Sequence, residues 1–458
     1  MPLLHSLLLL AAQNPAVQFT ALPADGQLYP RNGNNVAKVQ ISGTVEEPGW
    51  AFLTCVVERD DVPYAMRQQV LNYNGTSSAA FDLYVNIPAE LAEFDFTILL
   101  RNNAGRRQVA SAQDVVAGDA FLIQGQSNAV ASDHHGQNLA NQNQSKWVRS
   151  FGTTSLDGNL AAADKNWYTA DGEYDREEGA IGAWGLRMAS NIVASEGIPV
   201  AVLNGAVGAT PISFHRRNDL DPFKTSTNYG RLLTRATNAG LADHIRAIFW
   251  YQGEADGGRA VHYVWSFRDL YEDWLTDFPS TQKVYMFQVR NGCGNPSVEL
   301  RNVQRRLKEF LPKLDVMSTT GTGGHDGCHF YYGGYRQLGD RISRLVARDL
   351  YGSTDTHEID APYLLKANWY NSAGTQIRLK FADPDDTLIV EPGAEQHFQL
   401  QDGVQVVSTQ VVGNFILLTL SGPSNSDTIA YVGHPNDGPW IKNGRGVGAL
   451  TFKALIHP

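Results

Sequence analysis

The sequence predicts an α/β fold in which a parallel β-sheet, covered by helices on both sides, is flanked by two β-rich modules. Residues 118–355 alternate short apolar runs with helix-like segments, whereas residues 15–117 and 356–458 alternate apolar and polar residues. Strands buried on both faces are continuously apolar, and strands with one exposed face have a period of two. These patterns predict one central parallel sheet and two outer β-rich modules.

The N-terminal module, residues 15–117, is predicted to be a small β-sandwich. In "VQISGTV" the residues Val39, Ile41 and Val45 fall on one face of a strand, and "FDLYVNI" repeats the alternation from Phe81. Short strands at this spacing, separated by Asn and Gly turns, are typical of sandwiches.

The central region contains the runs "AFLIQG", "IPVAVLNG" and "IRAIFWYQG", separated by helix-like segments. We expect helices to end at Gly197, before Pro279 and at Gly352, because glycine commonly follows a helix and proline cannot continue one. Strand and helix alternation of this kind predicts a parallel sheet. From "APYLLKANW" onward the period of two returns and predicts the C-terminal module, residues 356–458.

The composition excludes two classes of function. The 458-residue chain is 43% hydrophobic and 18% charged, as expected of a folded protein, and its formal net charge is −10. Nucleic-acid binding depends on clustered Lys and Arg, so nucleic acid is not an expected partner. There is no apolar run of eighteen residues, and therefore no membrane span is expected.

Residues 1–14 contain an apolar block that resembles the core of a secretory signal, although no Lys or Arg precedes it. We therefore expect a secreted or periplasmic protein, and the alternative is a cytoplasmic protein whose N-terminus packs on the first module. A disulfide between Cys293 and Cys328 is plausible in an oxidising compartment. Three buried thiols, including Cys55, are the alternative.

Four loops with unusual polar content follow apolar strands of the central region. They span residues 125–128, 204–212, 250–256 and 321–330. Ligands of open α/β sheets bind at the carboxyl ends of the strands, where such loops meet. We therefore expect these four loops to form one site.

Ser127 is the predicted nucleophile. A serine at a strand-to-helix turn presents its hydroxyl at the edge of the sheet, and its own N–H can stabilise an oxyanion. A hydroxyl needs a neighbouring base, which His329 can supply, and Asp326 in the same loop can orient the imidazole. The predicted catalytic residues are thus Ser127, Asp326 and His329.

Two other interpretations of these residues are weaker. Gly125-x-Ser127-x-Ala129 is one residue away from the nucleophile elbow of α/β-hydrolases, but in that fold the acid usually lies many residues before the histidine. His325, Asp326 and His329 are also potential metal ligands. Glycines around them disfavour a helix that would bring the two histidines to one face, so no metal is expected. His134 and His135 form an exposed loop that borders the predicted pocket.

The four loops and one helix carry the motifs of a known family. They read "GQSN" with Ser127, "GAT" with Gly208, "WYQGEAD" with Gln252 and Glu254, "LRNVQRR" with Arg301 and Gln304, and "DGCH" with Asp326 and His329. In these motifs the chain resembles the SGNH hydrolase superfamily, and within it the carbohydrate esterases of the sialate O-acetylesterase type. The resemblance implies a three-layer, flavodoxin-like SGNH hydrolase domain at residues 118–355.

The resemblance also implies roles for individual residues. The oxyanion hole would be formed by the N–H groups of Ser127 and Gly208 and by the side-chain amide of Gln252. Glu254, Arg301 and Gln304 would support the loops. The chain departs from the family at Ala209, which replaces the second glycine of the Gly-Gly-Thr block, and this departure concerns the substrate more than the catalysis.

The expected function is therefore a serine esterase that removes acetyl groups from a sialate or another acetylated glycan, with no cofactor. The side chains expected to contact the sugar are Asn128, Arg216, Arg217 and Arg290, because arginine suits the carboxylate of sialic acid. The alternative is a non-catalytic carbohydrate-binding or adhesion protein on a degenerate esterase scaffold, with exposed aromatic residues such as Trp440 supplying the glycan contacts.

Overall fold

The computed structural model describes residues 16–294, 297–383 and 385–458, and the signal-like segment at residues 1–14 lies outside them. The chain divides into two compact units, Met1–Gly118 and Asp119–Pro458. In the described part of the chain, none of the helices has the length and apolarity that a membrane crossing requires.

The first unit is built mainly from antiparallel strands with alternating burial, and β2 pairs parallel with β8. In β3 and β6 every second side chain is buried, including those of Val39, Ile41 and Val85. One sheet has the order β1-β3-β6, and in the other β4 pairs with β5 and β7, and β7 pairs with β8. The strands are β1 (Val17–Ala21), β2 (Leu28–Pro30), β3 (Val36–Val45), β4 (Phe52–Arg59), β5 (Val62–Val70), β6 (Ala79–Pro88), β7 (Phe94–Asn102) and β8 (Gly105–Gly125).

The sheet of the second unit is parallel except at one edge. Its order is β10-β9-β11-β8-β12-β13-β14, and only β10 pairs antiparallel, with β9. The additional strands are β9 (Val148–Phe151), β10 (Trp167–Thr169), β11 (Val200–Asn204), β12 (Ile245–Tyr251), β13 (Lys283–Gln288) and β14 (Leu314–Ser318). Every residue of β11 is buried, as its apolar run predicts, and every residue of β9 is buried as well, including Arg149 and Ser150, although no sequence pattern predicted that strand.

The strand order determines where a site can form. After β8 the chain forms β9, β10 and β11 on one side of that strand and later β12 on the other side. A sheet that reverses its winding in this way leaves a crevice at the carboxyl end of the strand where the reversal occurs. Here that strand is β8, and Ser127 lies two residues after its last residue, Gly125.

Seven helices of the described residues belong to the second unit. They are α1 (Ser127–Val130), α2 (Gly158–Ala163), α3 (Ala183–Glu196), α4 (Asn228–Asn238), α5 (Ala260–Asp277), α6 (Val298–Leu307) and α7 (Tyr332–Tyr351). Helices α3 and α7 end where the sequence predicts, because Gly197 and Gly352 adopt the left-handed conformation after them.

The C-terminal strands form a seven-stranded sheet with the order β18-β21-β23-β15-β16-β20-β19, and β17 pairs with β22. They are β15 (Leu364–Trp369), β16 (Gln376–Phe381), β17 (Ile389–Val390), β18 (Phe398–Leu400), β19 (Val406–Val412), β20 (Phe415–Leu420), β21 (Thr428–Tyr431), β22 (Ile441–Lys442) and β23 (Phe452–His457). Hydrogen bonds link this sheet to the parallel one, since the Gln288 amide donates to the Thr451 carbonyl (3.0 Å) and its oxygen accepts the Thr451 N–H (2.8 Å).

Gly125 is expected to be irreplaceable at the end of β8. Its φ is +140°, and a Cβ atom there would lie 2.1 Å from the backbone oxygen of Tyr251. Gly125→Ala is expected to destabilise the protein by about 3 kcal/mol or more, because strain and a backbone clash add. Gly197→Ala, where φ is +67° but the space is open, is expected to cost about 1 kcal/mol. Urea unfolding followed by tryptophan fluorescence measures both, and equal losses would contradict the prediction.

Candidate active site

Ser127 lies at the turn between β8 and α1, half-exposed at the carboxyl edge of the sheet. The turn is held to the end of β12, because the N–H of Gln126 donates to the Tyr251 carbonyl (2.9 Å). The side-chain oxygen of Gln126 accepts the N–H groups of Gly253 (3.4 Å) and Ala255 (3.3 Å). The serine therefore stands on a loop with little freedom to move.

The second loop brings Gly208 beside the serine. A Cβ atom at Gly208 would lie 3.6 Å from the Cβ of Ser127. Ala209 adopts φ +59°, the conformation that glycine supplies without strain. The backbone N–H groups of Ser127 and Gly208 have no acceptor in the described part of the chain. Two free donors thus stand next to the serine hydroxyl.

Gln252, the predicted third donor, is arranged differently. Its side chain is fully buried, and its amide donates to Asp256 Oδ2 (2.6 Å) and to the Thr210 carbonyl (3.2 Å). An amide has two N–H groups, so both are occupied here. In this conformation Gln252 ties the second loop to the third and presents no free donor, which is a correction to its predicted place in the oxyanion hole.

The fourth loop places Asp326 and His329 together. Asp326 Oδ1 accepts the backbone N–H groups of Cys328 and His329, each at 2.7 Å. Its other oxygen, Oδ2, lies 3.8 Å from Nδ1 of His329. Nε2 of His329 is therefore the nitrogen that remains for a second partner. The Ser127 hydroxyl makes no hydrogen bond among the described residues, and catalytic contacts are often long before substrate binds.

The environment of Asp326 keeps it ionised. Partial burial opposes the charge, but the N–H groups of Cys328 and His329 and the nearby imidazoles of His329 and His135 outweigh it and hold the pKa of the carboxyl below its usual value of 3.8. A carboxylate in this state can stabilise a neighbouring imidazolium.

Two further histidines surround this pair. The rings of His134 and His329 lie 4.2 Å apart at an angle of 33°, and His135 packs on Tyr331 at 4.3 Å. Nε2 of His135 faces Asp326 Oδ2 at 3.5 Å and has no other partner in the described structure. Burial, followed by the nearby His329 and His135, lowers the pKa of His134. The sequence indicated that this loop borders the pocket but not that His135 meets the catalytic carboxylate.

Asn128 joins three of the four loops. Its amide donates to Glu254 Oε1 (3.1 Å) and to the Cys328 carbonyl (3.2 Å), and its oxygen accepts the hydroxyl of Tyr335 (3.2 Å). The side chain is fully buried. Asn128 therefore holds the catalytic loops together and does not contact substrate, which corrects the prediction for this residue.

A disulfide also holds the fourth loop. Cys293 and Cys328 are bridged with a Cα–Cα distance of 4.4 Å, so the alternative left open by the sequence is resolved in favour of the bridge. Arg290 donates to the Gly327 carbonyl and to Nε2 of His325 (2.8 Å). Arg290 is buried beneath the loop and stabilises it, so it is not free to bind a sugar carboxylate as predicted.

Gln304 lies behind the third loop. Its amide donates to the Gln252 carbonyl (2.8 Å), and its oxygen accepts the N–H of Val289 (3.0 Å). Arg301 instead faces the C-terminal sheet, donating to the Val432 carbonyl (2.6 Å) and to Thr451 Oγ1 (2.7 Å). Gln304 thus supports the site directly, and Arg301 does so only through the packing of α6.

The predicted sugar contacts Arg216 and Arg217 are both paired. Arg216 lies 3.2 Å from Asp269, and Arg217 lies 2.8 Å from Asp277 and 3.0 Å from Asp219. Their positive charges are neutralised within the protein, so neither guanidinium presents an unpaired charge to the carboxylate of a sialic acid.

Comparison with known proteins identifies similar sequences and folds. The model of the family described as carbohydrate esterase, sialic acid-specific acetylesterase, matches residues 117–348. The crystal structure of a carbohydrate acetylesterase from Xanthomonas citri superposes with a TM-score of 0.66 at 18% identity, covering 96% of this chain and 99% of that one. A protein from Arabidopsis thaliana gives a TM-score of 0.38 at 20% identity, covering 50% of this chain and 96% of that one. Among curated proteins none matches.

Glu254 provides a test of how the loops are held. Burial raises the pKa of its carboxyl above the usual 4.5, and Oε2 has no partner among the described residues. Because the folded state binds this proton more tightly than the unfolded state, the stability it contributes is present below pH 4.5 and is lost as the pH rises through the raised pKa. Glu254→Gln keeps an acceptor for Asn128 and has no proton to lose.

We therefore expect Glu254→Gln to gain stability relative to the unmodified protein as the pH rises from 4 to 8. The exposed Glu177→Gln is the matched control and is expected to show no such trend. Urea unfolding at a series of pH values measures the difference. A constant difference between Glu254→Gln and the unmodified protein would contradict the assignment.

Proposed function

Since the chain belongs to the sialic acid-specific acetylesterase family of carbohydrate esterases, we propose that it hydrolyses carbohydrate O-acetyl esters with Ser127, His329 and Asp326 as a catalytic triad. It is a carbohydrate O-acetylesterase, and the proposal concerns the residues that perform the reaction. The observation that carries it is the hydrogen bond from Asn128, next to Ser127, to the carbonyl of Cys328, next to His329 (3.2 Å).

The first half of the reaction transfers the acetyl group to the enzyme. His329 Nε2 accepts the proton of the Ser127 hydroxyl as the oxygen attacks the acetyl carbonyl carbon. The tetrahedral intermediate collapses by breaking the bond to the sugar oxygen, which receives the proton from His329 and leaves as an alcohol. Asp326 stabilises the imidazolium that forms between these steps.

The second half regenerates the serine. A water molecule gives its proton to His329 and attacks the acetyl-serine, and the second tetrahedral intermediate releases acetate as the proton returns to Ser127. No cofactor takes part in either half. In both halves the negative charge develops on the same oxygen, and the N–H groups of Ser127 and Gly208 are the donors that face it. A donor of this kind typically contributes about 10²–10³ in rate.

The arginines predicted to bind sialate are engaged within the protein, Arg216 and Arg217 by carboxylates and Arg290 beneath the fourth loop, so the proposal names an acetylated sugar and not sialic acid in particular.

We further propose that α-helices cover both faces of the parallel sheet in a three-layer arrangement. In chain order, the hydrolase domain at residues 118–355 follows the N-terminal β-rich module and precedes the C-terminal one. Export to an oxidising compartment is proposed as well. It is supported by the Cys293–Cys328 bridge, because disulfides seldom persist in the cytoplasm.

Ser127→Ala is expected to lower the turnover of 4-nitrophenyl acetate by about 10³-fold or more, because no other group in the triad can form the acetyl-enzyme. The far-ultraviolet circular dichroism spectrum is expected to be unchanged. Ser195→Ala, on the surface of α3, is the control and should retain full activity. Activity retained in Ser127→Ala would exclude this nucleophile.

His135→Phe is expected to lower kcat by about tenfold and leave KM unchanged, because it removes the ring nitrogen that faces Asp326 while keeping a ring against Tyr331. A role limited to packing predicts no change in kcat, since phenylalanine preserves the packing. Steady-state kinetics of both proteins with 4-nitrophenyl acetate distinguishes the two outcomes. His357→Phe, which replaces an exposed histidine that is not part of the proposed active site, is the control.

A further inference from the structure

A cavity outside the active site lies in the C-terminal sheet. It has a volume of about 610 Å³ and is lined by the end of β15 with its following turn, residues 369–374, by the loop at residues 423–427 and by Pro458. This volume is within the range of about 300–1,000 Å³ that is typical of small-ligand sites. The mechanism of the esterase uses none of these residues.

Two aromatic side chains and several polar ones line this cavity. Trp369 is partly buried against the core of the sheet, and Tyr370 is 54% exposed. The indole N–H of Trp369, the hydroxyls of Tyr370 and Ser372 and the side chains of Asn425 and Asp427 have no hydrogen-bond partner in the described part of the chain. An aromatic wall beside unpaired donors and acceptors is therefore available to a ligand with both an apolar face and hydroxyl groups.

The walls of the cavity are held in place without using these groups. The N–H of Ser424 donates to the Gly374 carbonyl (2.9 Å), and its hydroxyl donates to Asp402 (2.7 Å). The amide of Asn371 donates to the hydroxyl of Thr375 (2.9 Å). A site whose framework is already rigid loses little conformational entropy when a ligand binds.

Another cleft of the second unit, between α3 and α7, differs from this cavity in how its polar groups are paired. It has a volume of about 530 Å³, and two of the charged residues that line it form an ion pair. Arg187 lies 2.6 Å from Asp340, and Asn191 donates to the same carboxylate (2.9 Å). The Arg187–Asp340 pair that lines this cleft is satisfied within the protein, and no aromatic side chain lines the cleft among the described residues, so it suits a sugar less well.

We propose that the cavity of the C-terminal sheet binds a sugar residue of a neutral polysaccharide. The C–H face of a pyranose ring can pack on Trp369 or Tyr370, and its hydroxyls can pair with Asn425, Asp427 and Ser372. Asp427 is the only charged side chain among the described residues that line the cavity, and no Lys, Arg or His lines it. An anionic sugar such as a sialic acid would meet this carboxylate with no compensating cation.

The proposal deepens the proposed function and rests on it, because a glycan-binding site on the same unit as an acetylesterase indicates a polymeric substrate. Binding a second part of the same polymer raises the local concentration of acetyl groups at Ser127 when the span between the sites permits it. The site contributes to the capture of polymer and not to the chemical step.

The test measures binding in the Ser127→Ala protein, so that no hydrolysis contributes. Native gels containing deacetylated xylan, deacetylated glucomannan or polysialic acid give the retardation of each protein. We expect retardation by at least one neutral polysaccharide and none by polysialic acid. Two further variants are made in the Ser127→Ala protein: one adds Tyr370→Ala, and the other adds both Asn425→Ala and Asp427→Ala. Each is expected to bind the polysaccharide about tenfold more weakly than the Ser127→Ala protein. These residues are on the surface, so the variants avoid the packing of Trp369 against the core.

Trp265→Ala, which removes an aromatic residue 56% exposed on α5, is the matched control and should bind like its parent. In the active protein, Tyr370→Ala should leave the hydrolysis of 4-nitrophenyl acetate unchanged. Absence of binding to both neutral polysaccharides, binding that the cavity variants do not alter, or stronger binding to polysialic acid would each overturn the proposal. None of these outcomes depends on whether Ser127 is the nucleophile, which the activity of Ser127→Ala tests separately.

Discussion

The buried amide of Asn128 is the interaction on which the active site depends. It reaches from the residue after Ser127 to the backbone of Cys328, two hundred positions further along the chain, and also to Glu254. Leaving such an amide unpaired in the interior would cost about 1–3 kcal/mol, so its acceptors fix where the loops stand. The loops are therefore positioned by the need to satisfy a buried polar group, and their catalytic side chains remain free for substrate.

Buried side-chain amides also hold the loops together behind the active site. Gln252 links Thr210 to Asp256, and Gln304 links the Gln252 carbonyl to Val289. The Gln304 amide both donates and accepts, and the Gln252 amide donates to two partners, so neighbouring loops constrain one another through a continuous set of hydrogen bonds. Networks of this kind are rigid when they are satisfied, and rigidity is what an oxyanion hole requires, because its donors must point to a charge before that charge forms.

The fourth loop is held from a further direction by the C-terminal sheet. Arg290 donates to the Pro435 carbonyl as well as to Gly327, and the N–H of Gly324 donates to Asp437 (3.1 Å). With the Cys328 disulfide, these contacts surround a glycine-rich segment that has little structure of its own. The C-terminal strands thus support the catalytic loop in addition to carrying the proposed glycan site.

The sequence by itself determined the alternation of strands and helices in the central region, the helix ends at Gly197 and Gly352, and the family, because local periodicity, helix-ending glycines and short motifs are properties of neighbouring residues; β9, α2 and β10 lack such a pattern and were not predicted. It also placed Ser127, Asp326 and His329 in loops at strand ends. Only the tertiary structure decided that Gln252 is occupied, that Asn128 and Arg290 brace loops, and that His135 meets Asp326. These are pairings between residues far apart in the chain, and a side chain's partners depend on which loops the fold brings together, which no local pattern specifies.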